Sequence, residues 1–227
     1  MGAKLKRTDP ILIYRIVVFA LAAGYSLHQF ITTDHSAFGW QFRYLTIWAL
    51  TLNTVVAFLM LRLSLGWSRK TYNTLCSTAA VLNGFVLFMY WKLYLIDPSL
   101  VNGKDGPGPW YLEYYLHGLG PVLQMIDAFF FIGGAFARGR SILASLTLVV
   151  VGYIVWIEAL VAPLNDSPVG KATRGLPYPF LNDMDQTERM GFYGTVVVTM
   201  LILFAAGWII ARLIDRLFPG LSGDAEA

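Results

Sequence analysis

The 227-residue sequence is short of charge, of cysteine and of the motifs that mark soluble enzymes. Only 14% of its residues are Asp, Glu, Lys or Arg, against about 25% in an average soluble domain. A water-soluble chain of this size needs more polar side chains to cover its surface, so a soluble domain and a disordered tail are excluded. The one cysteine, Cys76, makes neither an internal bridge nor a thiolate metal cluster. There is no phosphate-cradling glycine loop, no H-E-x-x-H, no C-x-x-C and no G-x-S-x-G. His28 and His35 bracket a turn beside Asp34, but seven residues across a helix end is poor metal spacing. No metal and no cofactor are expected. A net charge of +3 with a pI near 9.0 raises the question of nucleic acid. That partner needs clustered basic side chains on a solvated face, and here they sit in small groups between apolar runs, so no nucleic-acid partner is expected.

What remains is apolar. Hydrophobic residues make up 56% of the chain and aromatics 15%, with a mean hydropathy of +0.57. Crossing the hydrocarbon core takes roughly 20 mostly apolar residues. Six segments qualify: residues 11–31, 43–63, 75–96, 111–136, 142–162 and 190–213. Backbone in lipid must satisfy its own hydrogen bonds, and these runs are continuous rather than alternating, which predicts helices and not barrel strands. The expected fold is all-α: a multi-pass membrane protein with six transmembrane helices, in one integral-membrane domain over residues 1–227. In a bacterium it belongs in the inner, cell membrane. The first run is about 20 residues long and carries His28 and Gln29 at its end, and it reads as a helix rather than a signal peptide.

Orientation follows from Lys and Arg beside the spans. Lys4, Lys6 and Arg7 precede the first, Arg62, Arg69 and Lys70 follow the second, Arg138 and Arg140 follow the fourth, and Arg212 and Arg216 close the sixth. These groups fall on alternate helix ends, which places both termini in the cytoplasm. Asp34, Asp97, Asp105, Asp166, Asp183, Asp185 and Glu188 collect on the other side. The longest connection, residues 163–189, contains Pro163, Pro168, Pro177 and Pro179, which argue against a helix there. Its apolar Leu176, Tyr178, Phe180 and Leu181 predict an outer loop that folds back as a cap.

Each ionisable or polar side chain inside a span costs enough to be a functional candidate. In the fourth span Glu113, His117, Gln124 and Asp127 fall within a sector of about 120°, one stripe facing the bundle interior. Pro121 cannot donate to the carbonyl of His117, so the helix should kink and leave that acceptor free. The second span opens with Thr46, about 5 Å below its start, while His117 lies about 9 Å deep from the same side. Asn53 shares a face with Thr46. Lys92 and Glu158 lie near the same ends of the third and fifth spans, whereas Asp127 sits about 15 Å beyond His117.

A hydroxyl becomes a nucleophile when a base takes its proton and a third group orients the base. These depths allow Thr46 as nucleophile, His117 as base and Glu158 as orienter. The plainer reading is that the stripe glues helices together, that a helical Thr bonds back to its own chain, and that Lys92 snorkels to the interface.

The motifs carry a resemblance. Phe38-Gly39 followed by Arg43-Tyr44-Leu45-Thr46, then His117-Gly118, then Gly152-Tyr153-Ile154 with Trp156, and finally Tyr178-Pro179-Phe180-Leu181 resemble the androgen-induced protein and androgen-dependent TFPI-regulating protein family and related bacterial six-helix proteins. That family comprises intramembrane threonine hydrolases of fatty acid esters of hydroxy fatty acids. The resemblance implies Thr46 as nucleophile and His117 as base, a membrane lipid or lipid ester as partner, and no cofactor. The family pattern is H-G-x-H, and here its second histidine position is Gly120. Bacterial relatives instead show His, then Pro four later, then Asp, as do His117, Pro121 and Asp127. An oxyanion donor would come from backbone N–H groups near Gly118 to Gly120 or from the Tyr178 phenol. Asn53, Lys92, Gln124, Asp127 and Glu158 complete the supporting set. A non-catalytic lipid-binding or accessory subunit, with a membrane-protein partner, is the alternative. A transporter using Asp127 and Glu158 as proton sites ranks behind both for want of repeats.

Overall fold

The computed structural model describes residues 9–102, 106–165 and 175–218. Lys4, Lys6, Arg7, Asp105, Asp166 and Pro168 lie outside the described residues. Among those described there is no strand. Five helices are long and apolar enough to cross a membrane: α1 (Pro10–Thr32), α2 (Leu45–Ser64), α3 (Asn73–Ile96), α5 (Gly139–Val161) and α6 (Gln186–Leu217). Between α3 and α5 runs α4, residues 110–131, in four consecutive helical pieces.

Local chemistry sets where each rod starts. Asp9 caps α1 by accepting from the Ile11 N–H at 2.8 Å, with Pro10 at the first position, where no N–H is needed. A capping box opens α6: the Asp185 side chain accepts from the Glu188 N–H, and Glu188 accepts from the Asp185 N–H. Before α2 the chain makes a 3-10 turn, Trp40–Arg43, reached through Gly39 at φ +83°. A Cβ at Gly39 would meet Trp156 at 3.2 Å, so that turn packs closely against α5.

α4 is not a regular α-helix. Segments Trp110–Tyr114 and Gly120–Ile126 are α-helical, while Tyr115–Leu119 and Asp127–Phe131 are π turns. Pro121 has no N–H for the carbonyl four residues back, and the chain widens just before it: the Gly120 N–H bonds Tyr115 O, five residues back. The expected span to residue 136 stops at Phe131, because Gly133 and Gly134 take φ of +65° and +61°. Phe136 then tucks in at 2% exposure. Its ring occupies the space beside Gly207 of α6, where a Cβ would come within 2.6 Å.

α3 is the hub, packing against α2, α4, α5 and α6, and α1 lies along α2. Its row of Ala79, Ala80, Val81 and Leu82 is buried almost completely. By contrast only 17% of the apolar window of α6 is buried in the protein, so its outer face needs lipid. The described part of the proline-rich connection does contain one helical turn, Pro179–Asn182, which corrects the expectation of none. Pro179 takes the first position, the one helical place that tolerates it. Leu176 and Leu181 are buried, and Asn182 Nδ2 holds the loop by bonding Leu176 O at 2.9 Å.

Candidate functional site

Thr46 is the second residue of α2, in the first turn, whose amides have no acceptor within the helix. Its hydroxyl lies 3.3 Å from His117 Nε2. The imidazole is held on three sides. Tyr90 of α3 stacks flat on it, with ring centroids 3.6 Å apart and planes within 3°. Glu113, one turn back on α4, puts Oε2 3.1 Å from Nδ1, an ion-pair distance although the N–H does not point along it. The Tyr90 hydroxyl and the Gly108 N–H both face this carboxylate. That approach requires glycine, because a Cβ at residue 108 would stand 2.8 Å from Glu113 Oε1. The carbonyl of His117, expected to be free because of Pro121, is instead taken by Trp91 Nε1 at 2.8 Å. The π turn and this indole together aim the ring.

On the other side of Thr46 stands Tyr178 from the folded-back loop. Its oxygen accepts from the Leu45 N–H at 3.2 Å, and the side chains of Tyr153 and Thr46 lie beside its hydroxyl. Burial pushes the phenol up to about 12, so it keeps its proton at any working pH. The Gly120 N–H cannot serve as a donor in the same way, since it already bonds Tyr115 O. Thr46, His117, Glu113 and Tyr178 all line one cavity of about 490 Å³.

The remaining sequence-derived candidates fall elsewhere. Glu158 does not orient His117. It binds Arg189 Nε at 3.0 Å and the Tyr193 hydroxyl at 2.6 Å, tying α5 to α6, and Glu113 holds the place expected for it. Lys92 is exposed, its ammonium 5.9 Å over the Phe88 ring, and it does not line the cavity. Asn53 forms a reciprocal amide pair with Asn83, at 2.8 and 2.6 Å. Gln124 is 1% exposed and its amide makes no hydrogen bond among the described residues.

Asp127 belongs to a second polar centre that sequence reasoning missed. Arg15 of α1 binds both its carboxylate oxygens, at 3.0 and 2.8 Å, and donates to Ser64 Oγ at 2.8 Å. A lone arginine inside an apolar run was the available signal, and it called for an acidic partner. Glu113 had a signal as well: four residues before a histidine on one helix, it faces the same side.

The FAR-17a/AIG1-like protein family matches residues 11–212, a stretch that contains all six rods up to the last turn of α6 together with Thr46, His117 and Tyr178. This chain belongs to the FAR-17a/AIG1-like family. A UPF0641 membrane protein of Schizosaccharomyces pombe (strain 972 / ATCC 24843) is 27% identical over 184 residues, 78% of this chain and 76% of its own length. No solved structure matches the chain. In this FAR-17a/AIG1-like chain Gly120, at the second histidine position of the family pattern, has a packing reason. A Cβ there would meet Tyr115 O at 3.0 Å and the Tyr115 ring at 3.2 Å. That ring is pinned in a face-to-face stack on Tyr25, centroids 3.7 Å apart. His117, not residue 120, faces the threonine.

Proposed function

We propose that this protein is an intramembrane hydrolase of lipid esters, with Thr46 as nucleophile and His117 as general base. The observation that carries the reading is the contact of 3.3 Å between Thr46 Oγ1 and His117 Nε2 in the wall of a cavity of about 490 Å³. His117 Nε2 removes the hydroxyl proton as Oγ1 attacks the ester carbonyl carbon. Negative charge forms on the carbonyl oxygen, and the Tyr178 hydroxyl donates to it. The bond to the alcohol oxygen then breaks, His117 returns its proton to that oxygen, and the acyl group stays on Thr46. Water, deprotonated by His117, attacks the acyl carbon and releases the acid and the free threonine. Glu113 favours the imidazolium in both halves.

Family likeness supports fatty acid esters of hydroxy fatty acids as a first substrate to try. Charge placement supports a topology with both termini cytoplasmic, six crossings and the site in the outer leaflet, where a lipid enters sideways. Proton coupling finds no support, because Asp127 and Glu158 are both held in ion pairs. The test is fatty acid release by purified protein in liposomes. Thr46→Ala falls to background and His117→Ala loses on the order of 10²–10⁴-fold. Turnover by Thr46→Ala at the wild-type rate would reject the mechanism, and absence of turnover in folded wild type would favour a lipid-binding subunit.

A further inference from the structure

The cavity has an apolar arm that runs from Thr46 toward the far end of the bundle, between α3, α5 and α6. A tyrosine marks the upper part of the arm on each of these helices. Tyr90 of α3 stacks on His117, Tyr153 of α5 donates to Arg43 O at 2.8 Å just ahead of Thr46, and Tyr193 of α6 donates to Glu158 Oε1 at 2.6 Å. α6 runs against α5, because the start of α5 lies by Phe204 and its outer end is tied to Arg189. The lining residues farthest from Thr46 are therefore Phe85 on α3, Val150 on α5 and Met200 on α6. At a rise of 1.5 Å per residue they lie about 8, 5 and 10 Å beyond their tyrosines.

Past these three the space is filled. Leu82 and Leu146, about one turn farther along α3 and α5, are buried. Phe204, one turn past Met200, has its ring 6.1 Å from that of Phe136, which stacks on Phe129 at 5.6 Å. None of Leu82, Leu146, Phe136 and Phe204 lines the cavity, and Leu82, Leu146 and Phe136 share one buried apolar cluster with Phe85, Val150 and Met200. The arm is blind. The lining residues that α3, α5 and α6 supply include no charged side chain, and the phenols of Tyr153 and Tyr193 have already given their protons to protein acceptors.

The two halves of a fatty acid ester of a mid-chain hydroxy acid differ in shape. The alcohol carbon bears two arms, one of them ending in a carboxylate, whereas the acyl half is a single unbranched arm ending in a methyl group. A blind apolar arm fits the second half and not the first, since an ionised carboxylate there would be buried without a partner. We infer that the arm between α3, α5 and α6 is the acyl subsite, and that Val150 and Met200 at its floor set the longest acyl chain the protein cleaves. This rests on the hydrolase reading above.

The assay measures kcat/KM for esters of one hydroxystearic acid, from hexanoyl to stearoyl, in the same mixed micelles. In wild type kcat/KM falls about 10-fold or more within about four carbons of the longest chain that fits, because methylenes pressed onto a packed floor cost what overpacking costs. Met200→Ala removes the thioether from the floor and moves the fall to chains about two carbons longer. Val150→Phe fills the floor and moves it to shorter chains. Each variant is judged on ratios within its own series, so a general loss of rate does not imitate the shift.

A flat wild-type profile up to stearoyl overturns the subsite while leaving the hydrolase standing. So does a fall that fails to move in these directions in either folded variant. If folded wild type and Thr46→Ala are alike on every ester of the series, the hydrolase reading fails and this inference falls with it.

Discussion

At Thr46 and His117 the proposed chemistry rests on a contact of 3.3 Å that the neighbouring side chains help to set. Glu113 acts through the imidazole, so Glu113→Gln should lower kcat by roughly 10- to 10³-fold with little change in KM; a loss confined to KM would mean that it binds substrate instead. The Arg15 and Asp127 pair makes a different prediction, because its charges are 4% and 5% exposed and serve stability. Asp127→Asn leaves a buried guanidinium unpaired and should cost about 3–5 kcal/mol, whereas replacing both partners by apolar residues should recover most of it; thermal unfolding of the two variants decides. Thr46 and His117 were legible in the sequence because depth along a helix is simple arithmetic. Glu158 was misplaced by the same arithmetic, since depth says nothing about azimuth and its side chain turns to Arg189. Arg15 was not legible because basic residues in this sequence read first as loop signals, and this one sits inside an apolar run.

Among the elements, α4 does the positioning. Its π turn at Tyr115–Leu119 exists because residue 121 donates no hydrogen bond, and Trp91 occupies the carbonyl set free. Pro121→Ala restores a donor for that carbonyl, in competition with the indole. Activity should fall while thermal stability is kept or raised, and an unchanged rate would show that the π turn does not aim His117. At the start of α6, Asp185→Ala removes the capping box and should lower stability by about 1 kcal/mol, read as a drop in unfolding temperature with no effect on the Thr46 site. The other five rods were legible to within about four residues at each end, because apolar run length and flanking charge mark where a helix leaves lipid. The end of α4 at Phe131 was not, since apolar residues continue to 136 while two glycines adopt left-handed backbone. The short turn at Pro179–Asn182 was missed for a related reason: prolines that forbid a helix interior are welcome at its first position.

Across the whole molecule, the end of the bundle that holds Thr46 also carries the described acidic loops, and the opposite end carries Arg62, Arg69, Lys70, Arg138 and Arg140. Charge bias predicts that the basic end faces the cytoplasm. The chain has a single cysteine, buried in the core, so a Cys76→Ala background makes this simple to check. Ser36→Cys should react with a membrane-impermeant maleimide on intact cells, and Ser68→Cys should react only after lysis; the reverse pattern would invert the topology. The central claim is that Thr46 is a nucleophile activated by His117. It is tested most directly by treating the folded protein with a hydrophobic fluorophosphonate and mapping the modified peptide by mass spectrometry. The account predicts a single adduct on Thr46 that disappears in Thr46→Ala and in His117→Ala. An adduct that persists in Thr46→Ala, or a folded wild type that takes no label, would contradict it.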